Sequence, residues 1–429
     1  MVARKFYSKA ETMSREELRK LQEKKALEMV RHAYKNSPYY HRKFDEAGIK
    51  PGDIKNLDDF FKKVPFTSKH ELVSNQREHP PFGEFLAVPR EKLRLVFISP
   101  GPIFEPYTAK DLESTRKNMA KGLISGGVQE GDIIQITLSY HFMPAGLFAH
   151  MAAEETGLCV IPAGTGETRM QIDFMRKLGT KIYAGTPSFL ARLAEEAQKM
   201  GLDPKKDLNL RIGICGAEPL PLDLRKKLQD IFGIELFDAY GVAELGVMTR
   251  ECQYHNGMHI NEEMYLLEII DPNTLERVEP GEEGEIVATP FERDALPLLR
   301  YRTGDASVLT EEICKCGRTE ARILGIRGRV DMLTKVKGVF IHPKQAQDVV
   351  SHYPELGRIQ IIVERPGDYD EMTILVEGKD PSKFGEWENK LKEEFKQALR
   401  IKTNVKMVKV GEIPADARVL EDRRKHYAR

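Results

Sequence analysis

The chain has 429 residues, enough for two or three domains around a sizeable core. Its 66 Lys and Arg residues balance 66 Asp and Glu residues, so no net field recruits nucleic acid or an anionic membrane. Five cysteines are too few for a disulfide scaffold, no apolar run approaches the roughly 20 residues of a membrane helix, and residues 1–9 lack the apolar stretch of a secretory signal. The composition reads as a soluble, cytoplasmic protein and says nothing about chemistry.

The first predicted element is a helix over residues 14–36. Ser14 followed by Glu17 is a capping box, and Leu18, Leu21, Leu27, Val30 and Ala33 recur at helical spacing. Ser37-Pro38 ends it, and a short second helix is expected around 57–61. From about Arg94, apolar runs at 133–138, 158–162, 181–183, 210–215 and 234–237 alternate with helical stretches such as 111–124 and 188–200. That alternation predicts a largely parallel sheet covered by helices, with ligands beyond the strand carboxyl ends. After Phe237 the chain is richer in strands and turns, with Asp271-Pro272-Asn273 and Pro280-Gly281 as turns. From about residue 332 a small α+β unit is expected: strands at 359–363, 372–376 and 405–410, and a charged helix over 383–399.

Three motifs follow one another in a fixed order. They are Asp238-Ala239-Tyr240-Gly241-Val242-Ala243-Glu244, Tyr301-Arg302-Thr303-Gly304-Asp305 and Gly328-Arg329-Val330-Asp331-Met332-Leu333. Two small-residue turns precede them at predicted strand ends, Tyr183-Ala184-Gly185-Thr186-Pro187 and Gly216-Ala217-Glu218-Pro219, where backbone can approach a flat base. With Pro65-Phe66-Thr67-Ser68-Lys69 and Ala295-Leu296-Pro297-Leu298-Leu299-Arg300-Tyr301, this set resembles the adenylate-forming ligases along nearly the whole chain. The resemblance is to their phenylacetate–CoA ligase branch. It implies an α/β fold: a large N-terminal domain of mixed sheets covered by helices (1–329), hinged to a small mobile C-terminal α+β domain (330–429).

The resemblance also implies site roles. Gly216, Ala217, Glu218 and Pro219 would wall the adenine site together with Asp238, Ala239 and Gly241. Tyr240 would stack on the base through its aromatic face. Glu244 would hold Mg2+, a hard cation that prefers oxygen. Asp305 would accept both ribose hydroxyls, with Arg329 near the same sugar and phosphate. Lys337 and Gly338, in Lys337-Gly338-Val339-Phe340-Ile341-His342-Pro343, would line the CoA arm, and Asp331 would be the hinge. The segment Ser139–Phe148 (139–148) would shape the acid pocket, with Tyr140, His141, Phe142 and Phe148 as its wall.

Cys252 and the Cys314-Lys315-Cys316-Gly317 knuckle supply three thiolates, and a histidine completes a Cys3His set for structural zinc. Some ligases of this branch carry such a site. Within Asn256-Gly257-Met258-His259, His259 fits that pattern better than His255.

Two stretches depart from the family. The phosphate loop, normally rich in Gly, Ser and Thr with a Lys, is here Phe97-Ile98-Ser99-Pro100-Gly101-Pro102-Ile103-Phe104-Glu105-Pro106-Tyr107-Thr108. It has one glycine, three prolines and no lysine, and proline removes the N–H donors that cradle a polyanion. The C-terminal loop that normally carries a lysine reads Gly411-Glu412-Ile413-Pro414-Ala415-Asp416-Ala417-Arg418-Val419. Lys409, Arg418 and Lys425 flank it at other spacings. Each lost clamp is worth ~10²–10³-fold in rate, so slow adenylation is expected.

The leading expectation is an AMP-forming acid–thiol ligase. It would activate a small, aryl carboxylate with ATP and transfer it to CoA, using Mg2+ and structural Zn2+, as a homodimer with no nucleic-acid or membrane partner. Two others stand beside it: a degenerate member that binds AMP, acyl-adenylate or acyl-CoA without adenylating, and an adenylating synthetase acting on a deazaflavin-type cofactor.

Overall fold

The computed structural model describes residues 5–330, 334–336, 339–341, 343–366 and 371–424. Capping chemistry sets its N-terminal helices. The Ser14 hydroxyl accepts from the Glu17 amide and the Glu17 carboxylate from the Ser14 amide, so the helix Arg15–Asn36 begins at the capping box. From sequence, Ser37-Pro38 is only a stop. In the structure it is also a start: Ser37 caps the helix Pro38–Glu46, and Pro38 takes a first-turn position where its missing N–H costs nothing. Tyr39, Tyr40 and Phe44 from that helix are buried with Phe60, Phe85 and Tyr301.

The expected parallel sheet is present. Cys159–Ile161, Ile133–Ile136, Ile182–Gly185, Ile212–Cys215 and Glu235–Val242 lie side by side in that order, all parallel. Helices such as Ala109–Ser125, Ala145–Glu155 and Pro187–Lys199 supply apolar residues that cover it. The sheet then turns antiparallel: Glu235–Val242 pairs with Gly246–Arg250, which pairs with Met258–Ile260. Outside the parallel run, Leu93–Ser99 and Ile103–Thr108 form a separate hairpin closed by residues 100–102.

The chain divides into two compact units. One runs to Thr303 and resumes over Ser307–Ile326; the other takes Gly304–Ala306 and the chain from Arg327 onward. The second unit has its own four-stranded sheet, in the order Asn404–Lys409, Glu371–Gly378, Leu356–Glu364, Leu420–Asp422. Helices Pro343–Ser351 and Phe384–Leu399 pack on it through Ala346, Val350, Leu391, Phe395 and Leu399. The edge strand Leu420–Asp422 is not foreseen from sequence. Three residues carry too little periodicity to show, and pairing with Ile361–Val363 creates the strand.

Candidate active site

The small-residue turns lie at the carboxyl ends of the parallel strands. Gly185 ends Ile182–Gly185, and a β-carbon on it would stand 2.0 Å from Thr137 Oγ1 and 2.3 Å from the Tyr183 hydroxyl. The turn 216–219 follows Ile212–Cys215, and Ala217 adopts φ 65°, a conformation side chains seldom take. Glu218 accepts from the Ser188 amide at 3.3 Å. At Gly241 the close approach is to backbone: its added β-carbon would lie 2.2 Å from the Gly246 carbonyl oxygen and 2.7 Å from Val247 Cα. Both are backbone atoms of the partner strand, so only glycine fits. Tyr240 is half-buried next to it.

Asp238 accepts from the Ala239 amide at 2.9 Å. Burial first, then the neighbouring Glu251 carboxylate, push its pKa up to about 7. Glu244 occupies the turn between Glu235–Val242 and Gly246–Arg250 and is only 3% exposed. Lys69 Nζ stands 2.9 Å from Glu244 Oε1, an ion pair without hydrogen-bond alignment. Lys69 opens the helix Lys69–Glu78, capped by Ser68. Sequence assigns Lys69 no role, because the pairing joins segments far apart in the chain.

Asp305 and Arg329 both belong to the second compact unit, where Arg329 Nη1 donates to Asp305 Oδ1 at 3.2 Å. Asp331, Lys337, Gly338 and Lys425 lie outside the described residues.

Cys252, His259, Cys314 and Cys316 converge in the first unit, all buried, with their ligand atoms within 4.8 Å of one another. Pairing of Met258–Ile260 with Arg322–Arg329 brings His259 to the knuckle that precedes the second strand. Cys252 Sγ and Cys314 Sγ are 3.8 Å apart, and Cys316 Sγ is 3.4 Å from His259 Nε2. Tetrahedral zinc, at about 2.3 Å from sulfur and about 2.0 Å from nitrogen, would separate its ligands by about 3.5–3.8 Å. The residues present therefore fit that ion. The Arg318 amide donates to Cys316 Sγ at 3.4 Å, and the Cys252 thiol, then His259, hold Cys316 well below the usual thiol range. His255 is engaged elsewhere, 2.5 Å from Glu235 and 3.1 Å from Glu251, and the Glu251 contact raises its pKa.

An apolar cavity of about 230 Å³ opens beside the turn 216–219 and Gly241. Met143, Pro144, Phe148 and Ala149 line one side; Gly216, Ala217, Ala239 and Gly241 line the other. Its base is polar: Arg250 donates to Asn261 and Glu320, and Asn261 donates to Asn118 at 2.6 Å. Of the four expected pocket residues, Phe148 lines this cavity. Tyr140, His141 and Phe142 are not part of the lining. The Ile98 amide holds the Phe142 carbonyl, Phe142 adopts φ 46°, and its ring points to solvent, 73% exposed. His141 is also exposed, and the Tyr140 hydroxyl meets His150 at 3.4 Å. A strand-end segment shows no helical or strand period that would say which rings turn inward.

The hairpin replacing the phosphate loop is pinned to the helix Lys69–Glu78: Gln76 accepts from the Phe104 amide and donates to its carbonyl, both at 2.8 Å. Glu105 is fully buried, and burial, the largest influence, pushes its pKa up. In the second unit the loop 411–419 is held closed by Arg358, which donates to the carbonyls of Ile413, Pro414 and Ala415 at 3.0–3.3 Å.

Strand-end glycine turns, a buried acid at a tight turn and an adjoining apolar cavity are the arrangement expected of an adenylate-forming enzyme. Residues 115–289 match the AMP-binding enzyme family, and 338–424 match the AMP-binding enzyme C-terminal domain. The chain is 36% identical over 384 residues to a phenylacetate–coenzyme A ligase of Thermus thermophilus, covering 88% of this chain and 85% of that one. To the Escherichia coli phenylacetate–coenzyme A ligase it is 33% identical over 418 residues, covering 94% of each. In fold it is similar to an open conformation of 2-hydroxyisobutyryl-CoA ligase, with a TM-score of 0.90 at 24% identity, over 96% of this chain and 93% of the other.

The chain belongs to the phenylacetate–CoA ligase-like family of adenylate-forming enzymes. It is an AMP-forming acid–CoA ligase, activating a small carboxylate with ATP and transferring it to CoA. None of these relatives supports a binding-only member or a deazaflavin synthetase. Among the described residues no helix is long and apolar enough to cross a membrane.

Proposed function

We propose that the acid is compact and apolar, an aryl acid of the phenylacetate kind. The carrying observation is the apolar cavity of about 230 Å³ lined in part by Gly216, Ala217, Ala239 and Gly241. An acyl group seated against Phe148 and Met143 would present its carboxylate toward the nucleotide. The names of the curated relatives support the same substrate class.

In this reading the carboxylate attacks the α-phosphate of ATP and pyrophosphate leaves; the CoA thiol then displaces AMP from the mixed anhydride. Residues 216–219 with Asp238, Ala239 and Gly241 frame the base, and Tyr240 stacks on it. Asp305 accepts the ribose hydroxyls beside Arg329. Glu244 would hold Mg2+, which when bound offsets phosphate charge. Lys337 and Gly338 serve the CoA arm, and Asp331 serves as the hinge between domains 1–329 and 330–429. Cys252, His259, Cys314 and Cys316 hold a structural zinc that ties the loop after Gly246–Arg250 to the Cys314 knuckle. The proline-rich hairpin and the closed loop 411–419 make adenylation slow relative to lysine-bearing relatives. The working form is a cytoplasmic homodimer.

The test is ATP-dependent pyrophosphate release with a panel of aryl, short aliphatic and long-chain acids, with and without CoA. Release with phenylacetate-like acids, and thioester only when CoA is added, is the expected result. Turnover confined to long-chain or strongly polar acids would overturn the substrate reading.

A further inference from the structure

The cavity assigned to the acid has two kinds of lining. Most of it is hydrocarbon, with Leu123, Met143, Phe148 and Ala149 among its residues. Asn118, Arg250 and Asn261 also line it, and each is at most 2% exposed, so a ligand meets them only from within the cavity.

Hydrogen bonding fixes how these side chains are turned. A guanidinium only donates, so Asn261 must give Arg250 its carboxamide oxygen. The Asn261 amide then donates to Asn118 Oδ1 at 2.6 Å, and the Asn118 amide to the Val247 carbonyl at 2.7 Å. A carboxamide has two N–H groups and two oxygen lone pairs, and in this chain of bonds each asparagine uses one of each. One N–H and one lone pair are left over on each of two residues that line the cavity.

The charge beneath them is balanced. Arg250 stands 2.6 Å from Glu320 and 3.2 Å from Glu11, and Glu11 also pairs with Arg318 at 2.7 Å. Two guanidinium groups thus meet two carboxylates, all four buried. This floor calls for no second anion on the ligand; it offers donors and acceptors to a neutral polar group. A bare hydrocarbon end seated on it would leave those N–H groups and lone pairs facing carbon, which is costly for buried polar atoms. A hydroxyl matches both, because its oxygen accepts from an amide and its O–H donates to a carboxamide oxygen.

We propose that Asn118 and Asn261 select an acid with a neutral hydroxyl on its apolar body, so that the preferred substrate is a hydroxylated aryl acid and not the bare one. The proposal rests on the reading of this cavity as the acid pocket and narrows the substrate class within it. Arg250 is a positioning residue: held by Glu11 and Glu320, it turns Asn261 and, through it, Asn118. Each amide is already half satisfied, so the discrimination is far smaller than in sites whose polar groups have only the substrate as partner.

The experiment measures kcat/KM for CoA thioester formation by the full chain with its zinc retained. The acids are phenylacetate, its three ring-hydroxylated isomers, a ring-carboxylated analogue and short aliphatic acids. At least one hydroxylated isomer should exceed phenylacetate by about tenfold, and the carboxylated analogue should fall below phenylacetate by at least as much. In Asn118→Leu the ratio of that isomer to phenylacetate should drop to near one. Phenylacetate used as well as every hydroxylated isomer by the unaltered protein would overturn the proposal and leave the aryl-acid reading standing; this arm needs no variant. Preference for the carboxylated analogue would overturn the neutral floor, and an unchanged ratio in Asn118→Leu would overturn the role of Asn118. Turnover of aliphatic acids alone would remove the aryl-acid reading itself.

Discussion

The two walls of the groove are built from different material. One wall is backbone: Gly185, the turn 216–219 and Gly241 sit at strand ends where a β-carbon at Gly185 or Gly241 would overlap neighbouring atoms. The other is side chain: Phe148 and Met143 line the cavity from the segment 139–148 and the helix that follows. A wall of backbone has one solution, because main-chain atoms cannot be repacked. A wall of side chains has many.

The largest expected effect falls on the cluster of Cys252, His259, Cys314 and Cys316. Cys316→Ser should take bound zinc from one per chain to none and lower stability on the order of several kcal/mol, read by metal analysis and melting. Unchanged metal content in that variant would remove the zinc assignment.

Next is the wall itself. Gly241→Ala drives a β-carbon against the Gly246 carbonyl, so a loss of about 1–3 kcal/mol and much weaker AMP binding by calorimetry are expected. If the variant binds AMP normally, the backbone wall is softer than its geometry implies.

The pH test is smaller and has a definite sign. The Asp238 pKa stands at about 7 in the folded chain, above its ordinary value. Between about pH 4 and 7 the native state therefore holds a proton that the unfolded state has lost. Stability from this group is complete below the unfolded pKa and falls as pH rises through the folded one, by up to about 1.4 kcal/mol per pH unit. The neighbouring Glu251 is shifted down and contributes with the opposite sign. Melting curves of wild type and Asp238→Asn should therefore converge at low pH and diverge toward pH 7, with the variant the more stable; parallel curves would refute the assignment.

The smallest effect belongs to the outer part of the side-chain wall. Phe142→Ala should change stability by less than about 0.5 kcal/mol and leave the KM for the acid unaltered, because the ring faces solvent. A large rise in KM would restore Phe142 to the pocket.

Much of the backbone wall was legible in the residues alone. A glycine between Tyr240 and Val242, or at 216 after an apolar run, leaves little else for the chain to do, and Ser14 with Glu17 marks a helix start by local hydrogen bonds. Cys252, Cys314 and Cys316 could be grouped because few residue types do what thiolates do. The choice of His259 over His255 was open until the pairing of Met258–Ile260 with Arg322–Arg329 placed one imidazole at the knuckle and left the other with Glu235 and Glu251.

By itself, then, the sequence determined the family, the strand–helix alternation of the parallel sheet and the small-residue turns at its strand ends, since these follow from local conformation and from residue types with no substitute. Tertiary structure alone decided that Lys69 meets Glu244, that Glu105 is buried rather than facing solvent, and that Phe148 lines the cavity while Phe142 does not. Those outcomes depend on which face of a segment is covered by elements far away in the chain, and local pattern carries no record of that.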